Sequence, residues 1–208
     1  MFTNIRKFSA VVVTSGAVLA LLSACGGTDS ASMGGHDMST TSSAVTTASA
    51  QPSATFNDAD VMFAQMMIPH HQQAVEMADL ADTRASDKEI KDLAAKIKAA
   101  QDPEIQTMQG WLTAWGKPMP SGDMDHGMGH DMPGMMSEED MKKLADAKGT
   151  AFDRQFAQLM IAHHEGAIEM AHTEQSKGSN PEAKELAKTI EAAQQAEVEQ
   201  MRKILKRL

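Results

Sequence analysis

The chain repeats itself: residues 60–112, displaced by 93 positions, align with 153–205 without a gap, and 24 of the 53 positions are identical. Phe63-Ala64-Gln65 returns as Phe156-Ala157-Gln158, His70-His71 as His163-His164, and Ala99-Ala100-Gln101 as Ala192-Ala193-Gln194. Each copy must be one supersecondary unit that buries its apolar face against another. Two helix starts stand in each copy. Asn57 with Asp60, and Thr150 with Asp153, have cap-and-third-residue spacing, and Ser86 with Glu89, and Ser179 with Glu182, read as fuller capping boxes. The pattern predicts helices over 58–84, 87–115, 150–176 and 180–207, with Gly116 and Gly178 at or near C-terminal stops. A short further helix is expected after Ser137, which forms a cap with Asp140. The expected fold is all-α, a four-helix bundle built from two duplicated helical hairpins. Hairpins from two chains could meet the same demand as a homodimer. Pro69 and Pro103 each remove a helical hydrogen bond and are expected to kink their helices; the second copy has Ala162 and Ala196 there.

The repeat does not begin until about residue 57. Arg6 and Lys7 precede an apolar run over 10–22 that ends in Leu22-Ser23-Ala24-Cys25. This reads as a signal peptide over 1–24, too short a run to span a membrane comfortably. The tetrad resembles the lipobox of bacterial lipoproteins, which implies cleavage before Cys25, acylation of its sulfur, and an extracytoplasmic protein anchored to the cell membrane. Residues 25–56 are rich in Ser, Thr, Ala and Gly and read as a flexible tether. Cys25 is the only cysteine, so neither an intramolecular disulfide nor a thiolate cluster is available. Removal of residues 1–24 takes Arg6 and Lys7 and no acid, leaving 17 basic against 28 acidic residues and a net charge of −11. Such a surface disfavours nucleic acid, whose binding depends on neutralising phosphates, and tolerates cations.

With His70 at zero on a helical wheel, Phe63, Met66, Ala74, Met77 and Ala81 fall within about 40° of it, and Met67 about 60° away. His70 therefore points into the apolar stripe, and His163 repeats the setting with Met160 and Met170. Imidazole suits copper, zinc, iron and nickel, while thioether sulfur prefers Cu(I). Met at helical spacing equally fills a core, and a lone His on an apolar face is more often a hydrogen-bonded structural residue. Here the His are paired in both copies with a Glu at the same offset, which favours ligands at His70 and His163. His71 and His164 lie about 100° round, towards a helix–helix seam, as ligands or as groups that orient ligands. Glu76 and Glu169, about 140° from the second His, meet a ligand from another helix or cap a buried polar network.

Residues 119–136 read MPSGDMDHGMGHDMPGMM, six Met and two His in a glycine-rich stretch within the loop 116–136 that joins the copies. These thioethers have no core to fill. Met124, His126, Met128, His130 and Met132 are therefore candidate metal ligands, with Met33, His36, Asp37 and Met38 of the tether as a smaller echo. Ordering a glycine-rich chain around an ion costs about 1–2 kcal/mol per fixed residue, so the loop should bind more weakly than pre-packed core ligands. Trp111 and Trp115 read as core or interface residues at a bundle end.

At MMIPHHQQAVEMA (66–78) and LMIAHHEGAIEMA (159–171) the sequence resembles the family called domain of unknown function 305, over about residues 57–205. The resemblance implies a ferritin-like helical bundle and copper binding or copper tolerance outside the cytoplasm. Carried over by position, it points to His70, His71, Glu76, Met77, His163, His164, Glu169 and Met170. Ferritin-like di-iron enzymes need Glu-x-x-His on helices of both halves plus two further Glu, a pattern not met here.

Three functions follow as expectations. The first is a membrane-tethered protein that binds and buffers a metal, copper first and another transition metal second. The second is a ferritin-like metal-dependent oxidase, and the third a structural adaptor whose histidines only knit the core.

Overall fold

The computed structural model describes residues 55–120 and 132–208. The signal peptide, Cys25, most of the tether, and Met124, His126, Met128 and His130 lie outside the described residues. Five helices follow in order: α1 (Asp58–Arg84), α2 (Lys88–Ala114), the short α3 (Glu138–Asp146), α4 (Thr150–Lys177) and α5 (Pro181–Arg207). α1 packs on α2 and α4 on α5, and the two hairpins meet mainly through α1 and α4. The hairpins that close the bundle belong to one chain. Among the described residues no helix is long and apolar enough to cross a membrane.

Two apolar clusters fill the bundle. One joins Met77, Ala78 and Ala81 from the C-terminal half of α1 to Phe152, Phe156 and Met160 from the N-terminal half of α4, with Ile90, Leu93 and Ile97 of α2 and Met201 and Ile204 of α5. The other joins Phe63, Ala64 and Met67 from the start of α1 to Ala167, Met170 and Ala171 from the end of α4. This exchange of halves requires α1 and α4 to run antiparallel, which brings their midpoints, and the histidines there, together. At one end Phe56 stacks on Trp115 and Trp115 on Trp111, with centroid separations of 4.8 and 5.9 Å, so the tryptophans close that end of the bundle.

Three of the expected caps are displaced by one residue. Asn57 does cap α1, with Asp60 completing the box. α2 is capped by Asp87 rather than Ser86, α5 by Asn180 rather than Ser179, and α4 begins at Gly149, which offers no side chain, rather than with Thr150 as cap. The reason lies across the bundle. Asp153, on α4, accepts hydrogen bonds from the Ser86 and Asp87 backbone N–H groups and from the Ser86 hydroxyl. Asp60, on α1, accepts from the Ser179 and Asn180 backbone N–H groups. Both aspartates are fully buried, and each serves the turn of the opposite hairpin. Asp60 and Asp153 are equivalent in the repeat, so the two hairpins are stitched to each other at both ends.

Pro69 and Pro103 lie inside α1 and α2, and both helices run unbroken through them. Packing along the whole of each helix outweighs the one hydrogen bond each proline removes.

Candidate metal centre

All four histidines of the repeated pair are fully buried. His70 and His163, at the crossing of α1 and α4, stand ring against ring, with centroids 3.7 Å apart and planes inclined at 39°. Met67 and Met170 share the cluster on one side of them, and Met77 and Met160 share the cluster on the other. The wheel placed these groups on the inward face, and the fold makes that face the seam between the two hairpins.

His71 and His164 turn away towards their own hairpin partners. His71 Nε2 lies 2.8 Å from Glu104 Oε2 on α2, and His164 Nε2 lies 2.7 Å from Glu197 Oε2 on α5. These glutamates, 93 residues apart, are the carboxylates of the site, and sequence reasoning passed over them. The signal was available: Gln101 and Glu104 recur unchanged as Gln194 and Glu197. Glu76 and Glu169, expected to fill this role, are exposed. They belong to no buried network, because their place on the wheel carries them to the outer face. Glu169 also begins the sequence Glu169-Met170-Ala171-His172, a Glu-x-x-His present in the second copy only. His172 is exposed and pairs with Glu191 at 2.9 Å, so this spacing does not converge on the core either.

The buried histidines are short of hydrogen-bond partners. Nδ1 of His70, His71 and His164, and both ring nitrogens of His163, have none; the His70 carbonyl is near enough to His163 to weigh on its proton affinity but falls outside hydrogen-bond geometry. Both amide atoms of Gln101 and Oε1 of Gln194 are likewise buried and unpaired. Burial, followed by the neighbouring His71, pushes the His70 imidazole down to about 3. Burial and then His70 hold His163 well below the usual value of 6.5. Both rings are neutral at physiological pH, the state in which imidazole offers a lone pair. Among the described residues no three His, Cys, Asp or Glu side chains converge as a ligand set. Two imidazoles flanked by thioethers suit a softer ion.

The end of the Met/His-rich loop reaches this centre. The Pro133 carbonyl lies 3.1 Å from His70 Nε2, and Gln73 holds the backbone of Met136 from both sides, donating to its carbonyl and accepting from its N–H. Gly134 has φ +80°, and a Cβ there would stand 2.7 Å from the Ala162 carbonyl oxygen and 2.8 Å from that of His163. A Cβ on Gly166 would stand 2.0 Å from the Pro133 oxygen. Gln73 and Gly166 occupy equivalent positions of the repeat. The duplication therefore departs from symmetry where the loop docks: one copy supplies a clamp and the other a gap. Met132 lies at the start of this strap and is half-buried.

Gly166→Ala tests the docking. In a free helix the change gains up to about 1 kcal/mol, but here the methyl meets backbone atoms that must move. The strap should lift while α4 stays helical. Hydrogen exchange at the Met136 amide is expected to quicken by about tenfold or more with unchanged helical content; unaltered protection would contradict the docking.

The model of the family described as a domain of unknown function, DUF305, matches residues 60–205. The chain belongs to the DUF305 family. Among solved structures it is similar to a DUF305 protein from Streptomyces coelicolor, described as secreted, at 36% identity and TM-score 0.66, with 72% of this chain and 93% of that one covered. A DUF305 fragment from Deinococcus radiodurans is 32% identical with TM-score 0.66, over 76% of this chain and 100% of that one. CopM in its Cu(I)-bound form is 34% identical with TM-score 0.60, over 71% of this chain and 96% of that one, and CopM is also known with Cu(II) and with silver. No curated protein matches. The DUF305 relatives share the helical architecture over the bundle, so the paired histidines of this member stand within the part of the chain that is alike.

Proposed function

We propose that this DUF305 protein is an extracytoplasmic, lipid-anchored protein that binds and buffers copper. Its domains are a signal peptide over 1–24, a tether over 25–56 acylated at Cys25, and the bundle over 57–208. The observation that carries the reading is the pair His70 and His163, buried ring against ring with three of their four ring nitrogens unpartnered. Unsatisfied buried polar atoms cost about 1–3 kcal/mol each, and a bound ion removes that cost. CopM's binding of Cu(I), Cu(II) and silver supports the same class of ion, and the thioethers of Met67, Met77, Met160 and Met170 favour the cuprous state. The Met/His segment over 119–136 captures the ion from solution, and the core holds it.

The test is a competition titration of the metal-free mature protein with Cu(I) against a chelator, beside His70→Leu with His163→Leu. The double variant should lose the tightest site and keep the loop's weaker capacity. It should also be more stable than the parent without metal, because two apolar side chains replace unpartnered polar ones. A variant that binds copper as tightly as the parent returns the histidines to a structural role. Because Pro133 meets His70 and Gln73 holds Met136, a loop deletion meant to spare the core must stop at residue 131.

A further inference from the structure

The two carboxylates that sequence reasoning passed over do chemistry beyond filling space. Nε2 of His71 faces Glu104 Oε2 at 2.8 Å, Nε2 of His164 faces Glu197 Oε2 at 2.7 Å, and Nε2 of His70 faces the Pro133 carbonyl at 3.1 Å. A carbonyl and a carboxylate only accept, so each of these nitrogens is the donor and carries hydrogen. In a neutral imidazole the other nitrogen is then bare. On all three rings that other nitrogen, Nδ1, is buried and has no partner. The reversed tautomer would set acceptor against acceptor at Nε2 and enclose an unpaired N–H at Nδ1. His163 has no acceptor at either nitrogen, because the loop exists once and its strap serves only His70.

We propose that Glu104, Glu197 and the Pro133 carbonyl are positioning groups that hold His71, His164 and His70 as Nε2–H tautomers and reserve Nδ1 as their metal-donor atom. The proposal rests on the reading of these histidines as copper ligands. It adds which atom binds and which residues choose it. A carboxylate or carbonyl behind a ligating histidine fixes the ring and raises its basicity, and losing such a group weakens metal binding by about 10–100-fold. Glu104 and Glu197 are partly solvated, with side chains 16% and 18% exposed, whereas the rings they face are fully buried.

The test reads the imidazole nitrogens directly, in full-length mature protein with 15N-labelled histidine, by two-bond proton–nitrogen correlation. In the metal-free protein His70, His71 and His164 should show protonated Nε2 and bare Nδ1. Glu104→Ala should let His71 exchange between tautomers, while Glu104→Gln, whose amide oxygen still accepts, should preserve the Nε2–H form; Glu197 should govern His164 in the same way. On addition of Cu(I), the resonance that moves should be Nδ1. Cu(I) affinity should fall about 10–100-fold in the alanine variants and be largely restored in the glutamine ones. An Nδ1–H tautomer in the parent protein, a tautomer unmoved by Glu104→Ala, or metal attachment at Nε2 each overturns the proposal. If Cu(I) moves none of the histidine nitrogens of the parent, the copper reading of the core fails, and the tautomers of the metal-free protein still decide what Glu104 and Glu197 do.

Discussion

Metal-free protein should be most stable near pH 6.5 and lose stability on both sides of it. On the acid side the cause is His70, pushed down to about 3 by burial, and His163, held well below 6.5 for the same reason. An unfolded chain takes up protons on both residues below pH 6.5 and the folded chain does not, so acid favours unfolding. The slope is at most about 1.4 kcal/mol per pH unit for each residue, or about 2.7 for the two. On the alkaline side the cause is Glu174, almost fully buried and pushed up to about 8, first by burial and then by Asp60. Burial also works against ionised Asp60, but the neighbouring Glu174 and hydrogen bonds from the Asn57, Asn180 and Ser179 backbone outweigh it and hold that carboxyl below its usual value. The proton of this neighbouring pair therefore resides on Glu174.

The folded chain keeps the Glu174 proton, whereas the unfolded chain releases it above pH 4.5. This stabilisation is complete below pH 4.5 and is lost as the pH rises to about 8, at up to about 1.4 kcal/mol per pH unit. Between 4.5 and 6.5 two histidines oppose one glutamate, and stability still rises with pH. Above 6.5 Glu174 acts alone and stability falls. Urea unfolding of metal-free protein from pH 4 to 9 should trace this maximum. Glu174→Gln should flatten the alkaline limb, and His70→Leu with His163→Leu the acid one. A profile that climbs steadily through pH 8 would contradict the placement of the Glu174 proton.

The second large effect is expected from the stitches between hairpins. Asp60→Ala strands the buried Asn180 N–H and withdraws the acceptor from Ser179 and from the Asn57 cap. Asp153→Ala withdraws the acceptor from two backbone N–H groups and one hydroxyl at the start of α2. Each stranded buried group costs about 1–3 kcal/mol, and the more exposed ones less, so each variant should lose about 2–4 kcal/mol. Asparagine keeps one accepting oxygen and should lose less than alanine at either position. Urea denaturation reads both. A loss under about 1 kcal/mol for Asp60→Ala would mean that solvent replaces the carboxylate and that the stitch does not join the hairpins.

Helix limits, the duplication and the inward face of each helix were legible in the sequence because their causes are local. A 3.6-residue period states which side of α1 is apolar, and Asn57 and Ser137 cap the turns beside them. His70, His163 and the four methionines could be placed on the core face on that basis alone. What a face meets is a different matter, because it depends on the register and crossing of helices far apart in the chain. Glu104 is 33 residues from His71, Pro133 is 63 from His70, and Asp60 is about 120 from the backbone it serves. No periodicity joins such residues. Local spacing assigned Ser86 and Ser179 as caps, and the family resemblance added Glu76 and Glu169 as candidate ligands. The packing of the hairpins turned Asp153 and Asp60 to those turns and left the two glutamates outside. Which residues line the seam follows from local apolar pattern; which imidazole nitrogen is left bare follows from acceptors that only the tertiary fold brings within reach.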